Sequence, residues 1–311
     1  MTVVLFASAK GAPGVTTLAT LTAATWPARR RVIVVECDPS GADLAVRFGL
    51  SSRCGLSSFA TALRRTGSPP EIAPHLQQLP GGLDVLVGGR NLEGGDSMSI
   101  TKALLSSAAS DAGGPWDLLV DVGRVVPAAS LPGDWWDHCD AATFVLRSDV
   151  ASVLKMRDAA PELLTRCEDR AGLVVIPTGE YSSAEIERFT GIPVIGEIPH
   201  DPASAGVVAG GRGSARRLSR SLLVASAARL AATLSKEAAI FSKEEVTVDG
   251  PEPLASWGLG GETVPPSSLP SSRRSGRARL SGRVRNGLTN LSTRISPAQP
   301  EAQDSSQEVL R

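Results

Sequence analysis

The chain has 311 residues, of which 42% are hydrophobic, and its 32 basic residues balance 32 acidic ones. This length and apolar content suffice for one large domain or two small ones, and the zero net charge excludes a protein drawn to nucleic acid by its overall charge. The longest apolar runs, such as residues 173–176, are far shorter than the roughly 20 residues of a membrane span, so we expect no transmembrane helix.

The four cysteines lie far apart and show no metal-type spacing, which is typical of reduced thiols in a cytoplasm. The N-terminal residues enter a strand-like segment without a basic region, so we expect no secretory signal. Together these patterns predict a cytoplasmic protein.

The first predicted element is a strand at residues 2–7, followed by a glycine-containing loop and a helical pattern. The loop reads Ser8-Ala9-Lys10-Gly11-Ala12-Pro13-Gly14-Val15-Thr16-Thr17. In this order, backbone N–H groups of the loop can surround an anion while the helix N-terminus adds its positive dipole end. The segment therefore predicts a polyphosphate ligand, and Thr16 stands where a P-loop hydroxyl binds magnesium.

The loop fits the P-loop pattern G-x-x-x-x-G-K-[ST] only in part. Gly14 and Thr16 match, whereas Ala9 replaces the first glycine and Val15 replaces the lysine. A plain turn between a strand and a helix is the alternative interpretation.

The loop also resembles the deviant Walker A loop, K-G-G-x-G-K-[ST]-T, of the MinD/ParA ATPase family. The matching positions are Lys10, Gly11, Gly14, Thr16 and Thr17, while Ala12 and Val15 depart from the pattern. The resemblance implies ATP and Mg²⁺ as ligands, with Thr16 at the metal. The nucleotide contacts that it implies are Lys10, Gly11, Ala12, Pro13, Gly14, Val15, Thr16 and Thr17.

The resemblance gives the two lysines of that family's loop different roles. The early lysine, here Lys10, reaches across a nucleotide-sandwich homodimer to the other subunit's phosphates, so Lys10 is a predicted catalytic residue. The later lysine binds phosphate within its own subunit, and this chain has Val15 there. Loss of such a charge-assisted contact costs about 1.5–3 kcal/mol, or roughly one to two decades in affinity. Arg124 is the nearest replacement in the sequence.

Acidic residues follow the second predicted strand, at residues 31–36. Glu36 and Asp38 stand in the segment Glu36-Cys37-Asp38-Pro39, and the carboxyl ends of parallel strands border the ligand crevice of open α/β sheets. The segment resembles the family's D-x-D-P-x-G motif, which implies that Asp38 is catalytic and positions the attacking water. A simple turn starting at Asp38 is the alternative.

The fourth predicted strand, at residues 117–122, is an apolar run that ends in an acid and a glycine. It looks like a Walker B strand, which implies that Asp121 holds magnesium through a water and that Gly123 lets the following loop sense the γ-phosphate.

Two later segments extend the resemblance. Residues 141–149 resemble the family's next core strand, and residues 194–201 resemble its I-P-x-D segment, which implies that Pro199 and Asp201 border the base. Residues 176–178 lack the Asn with which many relatives read adenine.

Apolar runs alternate with helical patterns along residues 1–240, which predicts a mostly parallel sheet flanked by helices on both faces, as in an α/β P-loop NTPase. The predicted strands are residues 2–7, 31–36, 83–88, 117–122, 141–147, 172–177 and 193–198. The predicted helices are residues 15–26, 41–48, 100–112, 150–166, 183–189 and 215–235, with a short helical piece at 56–65.

Residues 241–311 are rich in Pro, Ser and Gly and are predicted to be a disordered tail. Residues 273–294 hold seven arginines and no acidic residue. Apolar residues recur at helical spacing within 278–295, the pattern of a basic amphipathic helix. This segment predicts contact with an anionic membrane surface, and nonspecific nucleic-acid binding or an inert tail are the alternatives.

The departures at the loop favour an atypical member of the family. We expect a TadZ/CpaE-like protein that positions a membrane-associated pilus or secretion apparatus under nucleotide control, with weak or no ATP hydrolysis. It would form a homodimer on nucleotide binding, bind a protein of that apparatus, and lie in the cytoplasm or peripherally at the inner face of the plasma membrane. The alternative is a ParA-like chromosome or plasmid partition ATPase that binds DNA without sequence preference. A metabolic P-loop enzyme lacks a visible substrate motif.

Overall fold

The structure, a computed structural model, describes residues 1–11, 13–27, 29–39, 43–88, 96–125, 135–211 and 213–242, with residues 96 and 236–242 described by their backbone alone. At its centre lies a sheet whose strands are β1 (Val3–Ser8), β2 (Arg31–Glu36), β3 (Gln77–Gln78), β4 (Asp84–Leu86), β5 (Trp116–Arg124), β6 (Ala141–Arg147), β7 (Ala171–Ile176) and β8 (Val194–Glu197). Their order across the sheet is β3-β4-β2-β5-β1-β6-β7-β8, and every neighbouring pair is parallel except β3 and β4. The predicted mostly parallel sheet is confirmed.

Helices cover both faces of this sheet, as predicted. One face carries α3 (Leu56–Thr66), α4 (Asp96–Ala109), α5 (Trp135–His138), α6 (Val150–Cys167) and α7 (Ser183–Thr190). The other face carries α1 (Val15–Ala24), α2 (Asp43–Phe48), α8 (Pro202–Val208), α9 (Ala215–Ser219) and α10 (Leu222–Ser242). We call the two apolar cores the α6-side core and the α1-side core.

The central strands are apolar along their length because both of their faces are buried. In β1, Val3 and Leu5 pack into the α6-side core, while Val4 and Phe6 pack into the α1-side core. This alternation follows from the two-residue period of a strand. The strand order places β1 and its neighbour β5 at the centre of the sheet, with their carboxyl ends at the same edge.

Side-chain caps begin several helices at the same edge. Asp149 accepts the Ser152 N–H at 3.0 Å and so begins α6 directly after β6. Ser182 and Glu185 form a reciprocal capping box that begins α7.

The predicted single helix at residues 215–235 is wrong, because the chain breaks between α9 and α10. Ser221 causes the break: its hydroxyl accepts the Val224 N–H at 3.2 Å, which caps a new helix. The α8 helix was not predicted, although Asp201 caps it through the Ser204 N–H at 3.0 Å and Pro202 occupies its first turn. The two-residue strand β3 was missed because Gln77 and Gln78 form no apolar run.

None of the helices in the described ranges is long and apolar enough to cross a membrane. The α10 helix continues to Ser242, and the predicted tail from residue 243 onward, including the basic segment at 278–295, lies outside the described residues.

Candidate functional site

The loop between β1 and α1 presents an uncapped helix N-terminus. Gly14 precedes α1 in the left-handed region, at φ 101°, and its carbonyl accepts the Leu18 N–H at 2.9 Å. A residue with a Cβ is strained at this φ, so the glycine is required by the turn. No described side chain caps the helix, and the N–H groups of Val15, Thr16 and Thr17 have no partner within it. This geometry, together with the helix dipole, suits an anion.

A cleft of about 460 Å³ opens in front of this N-terminus. Residue 11 and residues 13–17 line it, so the structure brings together the predicted loop contacts apart from Lys10, which lines a neighbouring pocket, and Ala12, which lies outside the described residues. The rest of the lining consists of Ser8, Asp38, Asp43, Arg47, Gly123 and Arg124. The cleft thus combines backbone donors with charged side chains of both signs.

Asp121 lies buried behind the cleft with one carboxylate oxygen unpaired. Its Oδ1 accepts the Gly123 N–H at 3.0 Å, whereas its Oδ2 has no hydrogen-bond partner among the described groups. Burial raises the pKa of Asp121 to about 7, the Thr16 hydroxyl and the Gly123 N–H lower it, and the nearby carboxylates of Asp38 and Glu36 add to the rise. An orphaned buried carboxylate beside a hydroxyl is an oxygen donor set of the kind that Mg²⁺ prefers. The residues therefore fit the predicted metal.

Asp38 and Glu36 follow each other closely in the sequence but differ in their surroundings. The Asp38 carboxylate lies against Gly123, whose φ is 66° and where a Cβ would overlap that carboxylate. Asp38 therefore faces the cleft at the end of β5. Glu36 is 2% exposed, and its two oxygens accept the N–H groups of Leu44 at 3.0 Å and Gly88 at 2.9 Å. Glu36 thus fixes the backbone that carries Asp38 and α2.

Val15, at the position of the P-loop lysine, is a core residue. It is 6% exposed and packs into the α1-side core. The start of α1 therefore contributes backbone donors to the cleft and no side-chain charge.

Lys10 faces a neighbouring pocket instead of the cleft. Its ammonium lies 3.4 Å from Asp149 Oδ1, and both side chains remain partly exposed. This pocket, of about 260 Å³, is also lined by Arg147 and Ser152. The predicted catalytic lysine thus stands at the surface, paired with the residue that caps α6.

Pro199 and Asp201 lie on a third pocket, of about 180 Å³, that adjoins the loop at Gly14 and Thr17. Its lining is largely apolar and includes Ile176, at the segment where the adenine-reading Asn is absent. The flat apolar face of a base suits such a lining, and the Asp201 carboxylate is already engaged as the cap of α8.

Comparison with known proteins gives a fold. No protein-family model matches the sequence, and no curated protein matches it. Among solved structures, the ParA family ATPase from Chlorobium tepidum TLS matches with a TM-score of 0.61 and 20% identity, covering 74% of this chain and 97% of that chain. The chain has the fold of the MinD/ParA ATPases.

Two further structures with this fold were solved with nucleotides. The septum site-determining protein MinD of Pyrococcus horikoshii OT3, complexed with Mg-ADP, matches with a TM-score of 0.57 and 17% identity, covering 79% of this chain and 99% of that chain. A putative plasmid partition protein of Borrelia burgdorferi B31, bound to AMPPNP, matches with a TM-score of 0.54 and 12% identity, covering 76% and 99%.

Within the MinD/ParA fold, sequence reasoning missed two arginines beside the predicted site. Arg147 ends β6, is exposed, and lines both the Lys10 pocket and the Pro199 pocket. Arg47 lies in the cleft and pairs with Asp43 at 2.8 Å. A cation at the carboxyl end of a parallel strand is a usable signal for Arg147, whereas Arg47 comes from a surface helix and gives none.

Proposed function

We propose that this chain is an atypical MinD/ParA-like ATP-binding protein that dimerises on nucleotide and positions a membrane-associated pilus or secretion apparatus, with weak or no ATP hydrolysis. The observation that carries this proposal is the uncapped N-terminus of α1 beside the unpaired oxygen of Asp121, in a loop whose lysine position is a buried Val15. The first two features suit a magnesium-bound polyphosphate. The third removes a charge on which fast turnover depends.

The nucleotides in the two matched structures support ATP and Mg²⁺ as the ligands. At the site, Thr16 and Asp121 would hold the metal, which would neutralise charge on the phosphates, and the backbone N–H groups of residues 13–17 would bind phosphate oxygens. Asp38 would orient the attacking water, since it faces the cleft beside Gly123. Pro199 would border the base.

Titration of the purified full chain with ATP, with and without Mg²⁺, tests the nucleotide part of the proposal. We expect weak, magnesium-dependent binding and turnover well below that of ordinary relatives. Asp38→Ala should retain nucleotide and lose any hydrolysis, whereas Asp121→Asn should lose the magnesium dependence. Absence of binding at millimolar ATP would contradict the proposal.

The positioning role is tested separately, in cells that express a fluorescent fusion. We expect discrete foci at the envelope that coincide with the pilus or secretion ATPase, and loss of these foci in the Lys10→Ala variant. The proposed anionic-membrane contact of the tail is tested by co-sedimentation with anionic liposomes at low salt. Sedimentation should be lost when residues 272–311 are deleted, and unchanged sedimentation would refute the membrane contact.

A second candidate function, nonspecific DNA binding by a ParA-like partition ATPase, is favoured by one surface. An open groove of about 870 Å³ beside α8 and α9 is lined by the exposed arginines Arg216, Arg217 and Arg220. Three arginines on one groove suit a phosphate backbone, which binds without sequence information.

Electrophoretic mobility shifts with duplex DNA decide this point. If the groove binds DNA, replacing Arg216, Arg217 and Arg220 with Gln should weaken binding and flatten its salt dependence. The matched control replaces Arg157, Arg166 and Arg188, which belong to α6 and α7 on the opposite face of the sheet. Equal effects of the two triple variants would exclude the groove.

A further inference from the structure

The geometry points to Arg124 as the residue that binds the β- and γ-phosphates within its own subunit, in place of the lysine that Val15 replaces. This inference rests on the ATP binding proposed above and names the side chain that makes it feasible. Four features of the described residues carry it: the backbone that delivers Arg124, the reach of its side chain, the engagement of two other cations, and the chemistry of the guanidinium.

An irregularity in the sheet brings Arg124 to the loop. Asp121 and Gly123 of β5 pair with the consecutive residues Phe6 and Ala7 of β1, so the register shifts by one residue there. Such a bulge bends the strand and redirects the side chains after it. It sets Arg124 opposite Ser8, the last residue of β1 before the phosphate loop, and the Val125 N–H donates to the Ser8 carbonyl at 2.8 Å.

The side chain of Arg124 extends over the loop itself. A Cβ built on Gly11 would lie 3.7 Å from Arg124 Cδ and 4.0 Å from its Nη1. The residue is exposed and lines the same cleft as Val15, Thr16 and Thr17. The guanidinium therefore lies close to the loop, at the cleft that the N-terminus of α1 also lines.

Two other cations near the site are engaged by carboxylates. Arg47 Nη2 lies 2.8 Å from Asp43 Oδ2, and Lys10 Nζ lies 3.4 Å from Asp149 Oδ1 in the neighbouring pocket. The structure shows no hydrogen bond or ion pair between the Arg124 side chain and another side chain of the described ranges. Within that part of the chain it is thus the cation of the cleft that is available to a ligand, with Asp38 and Asp43 as the acidic groups facing the same space.

The guanidinium suits this role chemically. Its planar donors bind phosphate oxygens in pairs, and it keeps its charge at every physiological pH. An arginine that reaches the phosphates from β5 would also leave Val15 in the α1-side core, where a lysine stem would have to displace packed apolar side chains.

Titration of the full chain with a fluorescent ATP analogue in the presence of Mg²⁺ tests the inference. We expect Arg124→Gln to weaken binding about 10- to 100-fold, the range for one lost charge-assisted contact. Arg124→Lys should recover part of this loss, and Val15→Lys introduced into Arg124→Gln should recover it as well. Adenosine, which has no phosphates, should bind wild type and Arg124→Gln equally.

Two further variants separate a specific contact from general charge. Arg65→Gln, an exposed arginine on α3, controls for net charge and should leave affinity unchanged. If Arg47→Gln weakened binding as much as Arg124→Gln, the phosphates would respond to the cleft's overall charge, and the inference would fail.

The outcomes distinguish this inference from the function on which it rests. If wild type binds ATP and Arg124→Gln binds it equally well, the inference fails while the proposed function stands. If wild type binds no ATP, the proposed function fails and the inference with it. Circular dichroism spectra that match those of wild type show that each variant is folded. If Val15→Lys does not fold, the recovery of affinity by Arg124→Lys still tests the inference.

Discussion

The two ends of β5 carry buried carboxylates that the protein treats in opposite ways. Asp117, at the amino end, is 1% exposed and accepts the Thr2 N–H at 2.7 Å, the Trp26 Nε1–H at 2.8 Å and Arg30 Nη2–H at 2.8 Å. Asp121, at the carboxyl end, is 0% exposed and has one unpaired oxygen. A buried polar group without a partner costs stability, so Asp121 stabilises the fold less than Asp117 does.

The residues around Asp117 and Asp121 differ in the same way as the two carboxylates do. At the amino end, Arg31 stacks on Trp116 at 3.6 Å and pairs with Asp111 at 2.5 Å, so its charge is fully used within the chain. At the carboxyl end, α1 begins without a cap and Arg124 lies over the loop. The comparison teaches that the acidic and basic side chains at the amino edge pair within the fold, whereas the carboxyl edge leaves backbone donors and charged side chains at the cleft, as the proposed nucleotide site requires.

The largest expected effect is at the amino end. Asp117→Ala should lower the free energy of unfolding by about 3–5 kcal/mol, because it leaves the Arg30 charge and the Trp26 N–H without their acceptor in a buried site. Urea denaturation measures this. Asp158→Ala, which removes a carboxylate from an exposed pair with Arg157, is the matched control and should change stability by less than about 1 kcal/mol. Equal losses of stability in Asp117→Ala and Asp158→Ala would contradict the stabilising role of the amino edge.

The same experiment at the carboxyl end should have the opposite sign. Asp121→Asn should raise the free energy of unfolding by up to about 4 kcal/mol at neutral pH and above, because a neutral side chain relieves the desolvation that raises the pKa of the buried carboxylate from 3.8 to about 7. The variant should also lose about 10- to 100-fold in magnesium affinity in the presence of ATP, as expected for a carboxylate that acts through a metal-bound water. A destabilised variant would show that Asp121 is structural.

The pH dependence of Asp121 gives an independent check without metal. Its folded-state pKa of about 7 lies above the ordinary aspartate value of 3.8, so between these values the folded chain holds a proton that the unfolded chain has released. The contribution of Asp121 to stability therefore falls as pH rises through this window and is constant above it. The stability gain of Asp121→Asn over wild type should be near zero at about pH 4 and complete above about pH 7. A pH-independent gain would contradict the raised pKa.

Most of the fold could be predicted because its signals are local. The predicted strands are apolar runs, and their bounds agree with the structure to within one or two residues. What sequence reasoning missed depends on tertiary contacts or on single polar residues. The Ser221 hydroxyl caps α10 and so divides one apolar, alanine-rich pattern into two helices. The strand at Gln77 and Gln78 depends on their pairing with β4.

The features of the site also fall into two groups, those set by local sequence and those set by contacts between distant residues. The loop that precedes α1 is continuous in sequence, so the turn at Gly14 and the start of a helix after it could be predicted from the sequence alone. The function of Glu36 could not, since it depends on an N–H from Gly88, a residue 52 positions away. The reach of Arg124 depends on the bulge in β5, and no sequence pattern records where a strand pair shifts register.

Adding a positive charge at residue 15 tests the carboxyl edge of the sheet directly. Val15→Lys should tighten ATP binding by about 1.5–3 kcal/mol, because it restores the phosphate contact that a P-loop lysine makes. The same change should lower stability, since Val15 belongs to the α1-side core. Calorimetric titration and thermal unfolding measure the two effects, and Val46→Lys, on the exposed surface of α2, is the control for added charge. Ordinary micromolar ATP binding that Val15→Lys leaves unchanged would show that residue 15 is not the lysine position.

The smallest expected effect on the single chain concerns Lys10. Its pair with Asp149 spans 3.4 Å between side chains that are 48% and 37% exposed, so solvent screens the attraction and the pair adds less than about 1 kcal/mol. Lys10→Ala should therefore leave urea stability and monomer ATP affinity nearly unchanged. Because the pair is weak, the lysine can leave Asp149 at little cost. If Lys10 acts on the other subunit's nucleotide in the proposed dimer, the variant should fail to dimerise with ATP in sedimentation velocity. Ser152→Ala, which removes a hydroxyl bonded to the same Asp149, separates the loss of the lysine from a disturbance of the α6 cap. If the Lys10→Ala chain dimerises like wild type, the Lys10–Asp149 ion pair only stabilises its own chain, as the polar contacts at the amino edge of the sheet do.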